Sequence, residues 1–388
     1  MKWPLNVNNF SFLDRLKIAS FILNPSNRWT QGCKVKEFEE KIAEYVGCNF
    51  AVYVSSGSTA NTLLADYQKR ICADKNIVVL PSTTWQTSCS PWIKAGFKPE
   101  FIDVNLTDFS INKDKLESFV INNKAKIACI FPTSLIGFTP DMDFYKKVNK
   151  EYDVNINFDN CENTFGKFKD QNVSSFFTST TSTYFGHQIQ SIEGGFIFTN
   201  SKQEYEYYII NRNHGMVRSL SAYGIDTTLY ENDKVDSLFD FYSLGNNFRN
   251  TDLNAFVGML DFKRIYKYSE KRKKLYSFFK DKLDLNKFYL PQESVHAEHI
   301  PFCLPIICKK TNKEKALQIC KNLGIEHRPI ISGYLGYQTC YQEFFKNKNA
   351  LKDYPNSVYL HEHGLYVGLF NKLSKSNVDK LVSQLNNI

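Results

Sequence analysis

The feature that most restricts what this chain can fold into is a repeated switch of hydrophobic period between residues 34 and 158. Val35, Phe38, Ile42 and Tyr45/Val46 recur at helical spacing with Glu and Lys between them, and Gly47 ends the stretch. Short, mostly apolar runs follow at 51–54 (AVYV), 77–80 (IVVL), 101–104 (FIDV) and 127–131 (IACIF), alternating with helical stretches at 62–70, up to Ala95 and at 142–150. A further run, 154–158, ends on Asp159-Asn160-Cys161-Glu162-Asn163. Strand runs alternating with helices predict an α/β fold whose mostly parallel sheet is covered on both faces. Ligands of such sheets collect at the carboxyl ends of the strands, where residues 56–59, Trp85 and Asp159 fall.

At 388 residues the chain exceeds what one core usually organises. We expect an arm over 1–33, a large domain over 34–262 and a smaller C-terminal α+β domain over 263–388. The helix beginning near Leu253 leads from one domain to the other. A formal charge of +8 suits an anionic ligand such as a nucleotide. The lysines form no basic run, so nucleic acid is not expected as a partner. No uninterrupted apolar stretch reaches membrane-spanning length and the N-terminus has no apolar h-region, so we expect a cytoplasmic protein without a membrane partner. The 10 cysteines include no C-x-x-C pair, which predicts reduced thiols and no zinc or iron–sulfur site. His361 and His363 lie on one side of a segment read as extended, without a third ligand nearby, so no metal is expected there either.

Three segments carry candidate chemistry. Ser55-Ser56-Gly57-Ser58-Thr59 sits between a strand and a helix, where unpaired first-turn N–H groups and the helix dipole favour a phosphate; an ordinary serine cap is the equal alternative. Asp159 ends a strand, and can either face a ligand or cap the next helix. Thr181-Ser182-Thr183-Tyr184-Phe185-Gly186-His187 delivers one imidazole on irregular backbone ahead of the Gly194-Gly195 turn and a strand at 196–199.

Taken together with Trp85 and the stretch Asn246-Asn247-Phe248-Arg249, the order and spacing of these segments resemble the pyridoxal-phosphate (PLP) sugar aminotransferases of fold type I, the DegT/DnrJ/EryC1 group. The resemblance implies a large domain with a mostly parallel central sheet, a smaller C-terminal domain, and PLP or its amine form PMP as cofactor. Gly57, Ser58, Thr59 and Ser182 would hold the cofactor phosphate, Trp85 would stack on the ring, Asp159 would pair with the pyridine nitrogen, and Asn163 would sit near the ring. Asn247, with Arg249, would reach across a homodimer interface into the partner's site. Where this family places its cofactor-linking lysine, the chain has His187. Imidazole cannot make that covalent link but can act as a base near neutral pH. The replacement resembles the sugar 3-dehydratase branch, which implies loss of the C3 oxygen from a nucleotide-linked 4-keto-6-deoxy sugar, with glutamate regenerating PMP. In that reading His187 also returns the proton it takes to the departing oxygen. The absence of cysteine between Cys161 and Cys303 favours the cluster-free, GDP-sugar members, acting on a hexose or a heptose. Arg328 becomes a candidate substrate contact, and His214 a second one that alternatively only shapes its loop. A 4-aminotransferase using another base and a non-catalytic protein of this fold are the alternatives.

Overall fold

The computed structural model describes residues 2–292, 294–310 and 312–388. Seven strands build the central sheet: β1 (Phe50–Val54), β2 (Ile77–Pro81), β3 (Lys98–Ile102), β4 (Ile127–Ile130), β5 (Phe158–Asp159), β6 (Ser179–Ser182) and β7 (Gly195–Thr199). Their order is β1-β7-β6-β5-β4-β2-β3. The β5–β4 join is made by single parallel bridges, Ile130 to Ile156 and Thr133 to Asp159. Only β7 runs antiparallel to its neighbours, and the remaining direct pairings are parallel. The mostly parallel sheet expected from the alternation is therefore present, and at its carboxyl edge Asp159 pairs with Thr180, two residues before Ser182 at the end of β6.

The intervening helices follow their sequence signals. Helix α1 (Phe12–Leu23) precedes α2 (Cys33–Val46), which buries Val35, Phe38 and Ile42 and stops at Gly47, whose φ of 79° is the left-handed conformation that closes a helix cheaply. Helix α3 (Gly57–Ile71) starts five residues earlier than the apolar pattern predicts. A reciprocal capping box between Ser56 and Thr59 recruits the Gly-Ser-Thr turn as its first turn. Helices α4 (Gln86–Lys94), α5 (Lys113–Asn123), α6 (Met142–Tyr152), α7 (Lys202–Asn211) and α8 (Asp252–Phe262) complete this part of the chain.

After α9 (Ile265–Lys282), four antiparallel strands form a second sheet: β8 (Phe288–Tyr289), β9 (Cys303–Cys308), β10 (His327–Pro329) and β11 (Gly364–Gly368), in the order β8-β9-β11-β10. Helices α10 (Lys313–Leu323), α11 (Pro355–His363) and α12 (Lys375–Leu385) accompany it. Its apolar core continues into Val104, Phe109, Leu135, Ile136 and Phe138, so the two sheets share packing at the cleft between them. His361 and His363 belong to α11 rather than to an extended segment. At two residues' separation on a helix they diverge, which removes the shared side the sequence suggested.

The N-terminal segment differs from a bare arm in two respects. Residues 12–23 are helical, started by a Ser11–Asp14 capping box. Trp3 is 1% exposed within the C-terminal core and donates from Nε1 to the Gly368 carbonyl at 2.8 Å.

Candidate active site

Between the two sheets lies a cavity of about 460 Å³. Its walls include Ser56, Gly57 and Ser58 of the α3 start, Trp85, Asp159, Ser182 and His187, together with Arg328 from β10. The topology explains the convergence: β5 and β6 are neighbours, β1 leads into α3, and the turn after β2 leads through Trp85 into α4.

Asp159, 3% exposed, is the most constrained of these groups. Its Oδ2 accepts from Asn61 Nδ2 at 3.0 Å and from Ser88 Oγ at 2.7 Å, and its Oδ1 accepts from the Cys161 N–H at 3.0 Å. A carboxylate offers about four acceptor positions, so one remains for a donor in the cavity. Thr180 fixes Asn61 in turn by donating to its Oδ1 at 2.5 Å. Asp159 therefore faces the cavity and is not spent as a helix cap.

At the start of α3 the Ser56 hydroxyl takes the Thr59 N–H, and the Thr59 hydroxyl accepts from the Ser56 N–H. Thr59 is thus used up in the cap and does not line the cavity. The first-turn N–H groups of Gly57 and Ser58, which have no intrahelical acceptor, stand at its wall. Helix start and strand end are pressed together here. A Cβ on Gly57 would come within 2.9 Å of Cys161 Sγ and 3.0 Å of Ser182 Cβ, and one on Gly195 would lie 2.5 Å from the Gly57 nitrogen. Trp85 remains 58% exposed, an indole face left uncovered at the cavity wall.

His187 is held by the shape of its loop. Thr183 N–H donates to the Gly194 carbonyl at 2.8 Å and Ser191 N–H to the Thr183 carbonyl at 2.9 Å, closing the neck. Gln188 Nε2 donates to the Ile300 carbonyl at 2.9 Å, and Gln190 Nε2 to the Phe185 carbonyl at 2.9 Å. The imidazole lies against Phe302, ring centroids 5.4 Å apart, and its Nδ1 has no hydrogen-bond partner among the described residues. Burial lowers its pKa to about 4, against the opposing pull of the Cys161 main chain and the Asp159 carboxylate. The ring is therefore a neutral base throughout the physiological range.

Four other residues expected at the site lie elsewhere in the single chain. Asn163 is fully buried behind the Asp159 turn and donates to Thr139 Oγ1 at 2.9 Å, so it does not reach the cavity. His214 occupies a left-handed turn with φ of 64°, its N–H bonded to the Asn246 carbonyl, and does not line the cavity. Asn247 is exposed and accepts from Arg249 Nε at 3.0 Å, while Arg249 also reaches Asn213 Oδ1 at 3.1 Å. Arg249 lines a second, basic cleft with Arg28, Lys36 and Arg218, away from its own chain's Asp159. Arg328 does line the cavity, its guanidinium bonded to Glu326 at 2.9 Å.

Sequence reasoning overlooked Asn61 and Ser88, the two side chains that orient Asp159. Asn61 lies one helical turn beyond Gly57, and Ser88 three residues beyond Trp85, so helical spacing from the recognised residues was the available signal. Glu162 was noted only as a neighbour of Asp159, yet it lines the cavity beside Cys303 and Tyr366. Those two come from the second sheet, and no local pattern marks them.

As a set, these groups fit a flat cofactor that carries a phosphate and a basic ring nitrogen. The uncapped N–H groups and the Ser58 and Ser182 hydroxyls could take the phosphate, Trp85 the ring face, and the open position on Asp159 the nitrogen.

The chain is 29% identical over 360 residues to the GDP-4-keto-6-deoxy-D-mannose 3-dehydratase of Yersinia pseudotuberculosis, covering 88% of each. The solved Escherichia coli GDP-4-keto-6-deoxy-D-mannose-3-dehydratase with bound hydrated PLP superposes with a TM-score of 0.90 at 26% identity, over 99% of both chains. A structure of GDP-4-keto-6-deoxymannose-3-dehydratase with a trapped PLP-glutamate geminal diamine gives the same TM-score of 0.90 and identity of 26%, over 99% of this chain and all of that one. With its residues 19–386 matched by the family's profile, the chain belongs to the DegT/DnrJ/EryC1/StrS aminotransferase family.

Proposed function

We propose that this protein is a PLP/PMP-dependent 3-dehydratase that removes the C3 hydroxyl of a nucleotide-linked 4-keto-6-deoxy sugar, GDP-4-keto-6-deoxymannose or its heptose counterpart, with glutamate restoring PMP. The observation that carries the reading is His187. In a family named for amino transfer, the residue delivered beside Asp159 and Ser182 is an imidazole that cannot hold the cofactor covalently. The likeness to proteins named as 3-dehydratases supports the same conclusion.

When bound, the cofactor supplies an amine that condenses with the C4 ketone and a protonated ring that accepts electrons. Asp159, oriented by Asn61, Ser88 and the Cys161 N–H, keeps the proton on the ring nitrogen. Gly57, Ser58 and Ser182 bind the phosphate, and Trp85 covers one ring face. His187, neutral because it is buried, accepts a proton from the cofactor's C4′ carbon. Arg328 offers its exposed guanidinium to the sugar or the diphosphate.

Asn247 and Arg249 serve the site of a second copy. They lie outside their own chain's cavity, and the exposed Phe241 and Leu244 beside them provide apolar surface for the contact. Among the described residues no helix is long and apolar enough to cross a membrane. We assign the protein to the cytoplasm, where a nucleotide sugar and glutamate are both supplied.

The test is to mix the protein with PLP, glutamate and GDP-4-keto-6-deoxymannose and follow ammonia and the sugar product. Ammonia with a 3-deoxy-4-keto sugar is expected. A 4-amino sugar with no ammonia overturns the dehydratase reading in favour of amino transfer.

A further inference from the structure

The imidazole of His187 leaves a four-residue turn over 184–187, closed by the His187 N–H on the Tyr184 carbonyl at 2.9 Å. The peptide at the middle of such a turn, here the one joining Phe185 to Gly186, is the unit that reverses between the type I and type II forms. Type II needs a left-handed third residue, which glycine supplies at no steric cost. Gly186 holds that third place with a φ outside the left-handed region, and a Cβ on it would meet nothing closer than the Tyr184 ring at 3.6 Å. Packing does not ask for glycine here, so the turn by itself admits both forms.

The form observed is held through the Phe185 carbonyl. It accepts from Gln190 Nε2 at 2.9 Å, within the loop, and from Asn6 Nδ2 at 2.5 Å, from outside it. Asn6 Oδ1 takes the Val7 N–H at 2.9 Å, which turns the amide nitrogen toward the loop. Gln190 Nε2 also reaches the Val7 carbonyl at 3.2 Å, so residues 6 and 7 are both tied to the loop. The other end of this segment rests on the second sheet. Trp3 is buried in that core, and the chain crosses the end of β11 so closely that a Cβ on Gly368 would stand 2.2 Å from the Leu5 carbonyl oxygen. Leu5 and Asn6 line the cavity between the two anchors. Residues 3–7 are thus a strap from the second sheet to the loop that delivers the imidazole.

We infer that Asn6 is a positioning residue for His187: it holds the peptide between Phe185 and Gly186 in one orientation, and with it the direction in which the imidazole leaves the turn. The inference rests on the dehydratase reading above for the role of His187 as base. A reversed peptide would redirect the next side chain, and a displacement of about 1 Å at a reacting group can cost roughly a hundredfold in rate.

The experiment compares the full-length protein with Asn6→Asp and Asn6→Ala, using PMP and GDP-4-keto-6-deoxymannose. Aspartate keeps the shape and the acceptor for the Val7 N–H but has no donor for the Phe185 carbonyl when ionised. Both variants should lose roughly 10- to 100-fold in kcat, with KM within about threefold of wild type. In single turnovers with C4′-deuterated PMP they should show a larger isotope effect than wild type, because removal of that proton is the step that suffers. Crystal structures of the cofactor-free proteins should show the Phe185 carbonyl facing residue 6 in wild type and turned away in Asn6→Asp. A loss confined to Asn6→Ala overturns the inference, since that pattern reports the Val7 contact alone. So does an unmoved carbonyl, or a raised KM with kcat unchanged. If wild type releases no ammonia the dehydratase reading fails, while the crystal comparison still decides whether Asn6 holds the turn.

Discussion

The Ser88 hydroxyl donates to Asp159 Oδ2 at 2.7 Å, binding the start of α4 to the end of β5 at the base of the cavity. Because Trp85 caps the same helix, this one contact couples the position of the stacking ring to that of the carboxylate. A hydrogen bond to a charged acceptor contributes about 1.5–3 kcal/mol. Ser88→Ala is therefore expected to weaken PLP binding roughly ten- to a hundredfold, by the conversion of about 1.4 kcal/mol per tenfold. Fluorescence titration of the cofactor-free protein measures this. Unchanged affinity would mean that Asn61 and the Cys161 N–H suffice to orient Asp159.

His187 makes a second prediction through pH. Its folded pKa of about 4 lies below the unfolded value near 6.5, so between these values the unfolded chain binds more protons and stability rises with pH. The contribution is complete above pH 6.5 and is lost as pH falls through about 4, an effect of order 3 kcal/mol. Denaturant melts of wild type and His187→Asn between pH 4 and 7 should diverge in this window, with the variant showing the shallower slope. The same variant should lose roughly 10²–10⁴-fold in C3 deoxygenation if His187 is the base.

The sequence makes local chemistry visible and hides what distant segments bring together. Strand and helix period, the Gly47 stop and the residues at strand ends all depend on near neighbours, and the elements appear in the predicted order, with α3 beginning earlier at Gly57 and β5 confined to Phe158–Asp159. The antiparallel direction of β7 is not legible, because Gly195–Thr199 reads as an apolar strand whichever way it runs. Glu162 escapes for another reason. A glutamate in a polar turn ordinarily sits in water, and only the walls contributed by Phe302, Cys303 and Tyr366 desolvate it. The position of Thr59 has a local cause: a capping box and a phosphate loop use the same residue types, and here the capping box takes Thr59 while Gly57 and Ser58 stand at the cavity wall.

A third prediction concerns the pairing of Glu39 with Arg212, both almost fully buried under the β1 edge. Glu39 also accepts from the Tyr53 N–H and the Tyr223 hydroxyl, each at 2.7 Å, and Arg212 donates to the Tyr53 carbonyl at 2.7 Å. Replacing Glu39 by Ala leaves a guanidinium uncompensated in the core. The expected loss is about 3–5 kcal/mol in a denaturant titration, with Arg212→Ala similar and the double variant less than additive. Additive losses would show that the two charges do not depend on one another.

The last prediction tests how far the N-terminal segment belongs to the C-terminal core. Trp3 is buried there and its indole N–H is satisfied by the Gly368 carbonyl, while Glu326 N–H donates back to the Trp3 carbonyl at 2.8 Å. Two residues further on, the Leu5 N–H donates to Glu326 Oε2 at 3.0 Å, and the other oxygen of Glu326 holds Arg328 at the cavity. The segment is thus both core and part of the support for a proposed substrate contact. Trp3→Ala should cost about 3–5 kcal/mol of stability, the range for deleting a buried aromatic. Glu326→Gln should leave the core intact and act on Arg328 alone, raising KM for the nucleotide sugar while changing kcat little. A fall in kcat with KM unchanged would instead place Arg328 in the chemical step.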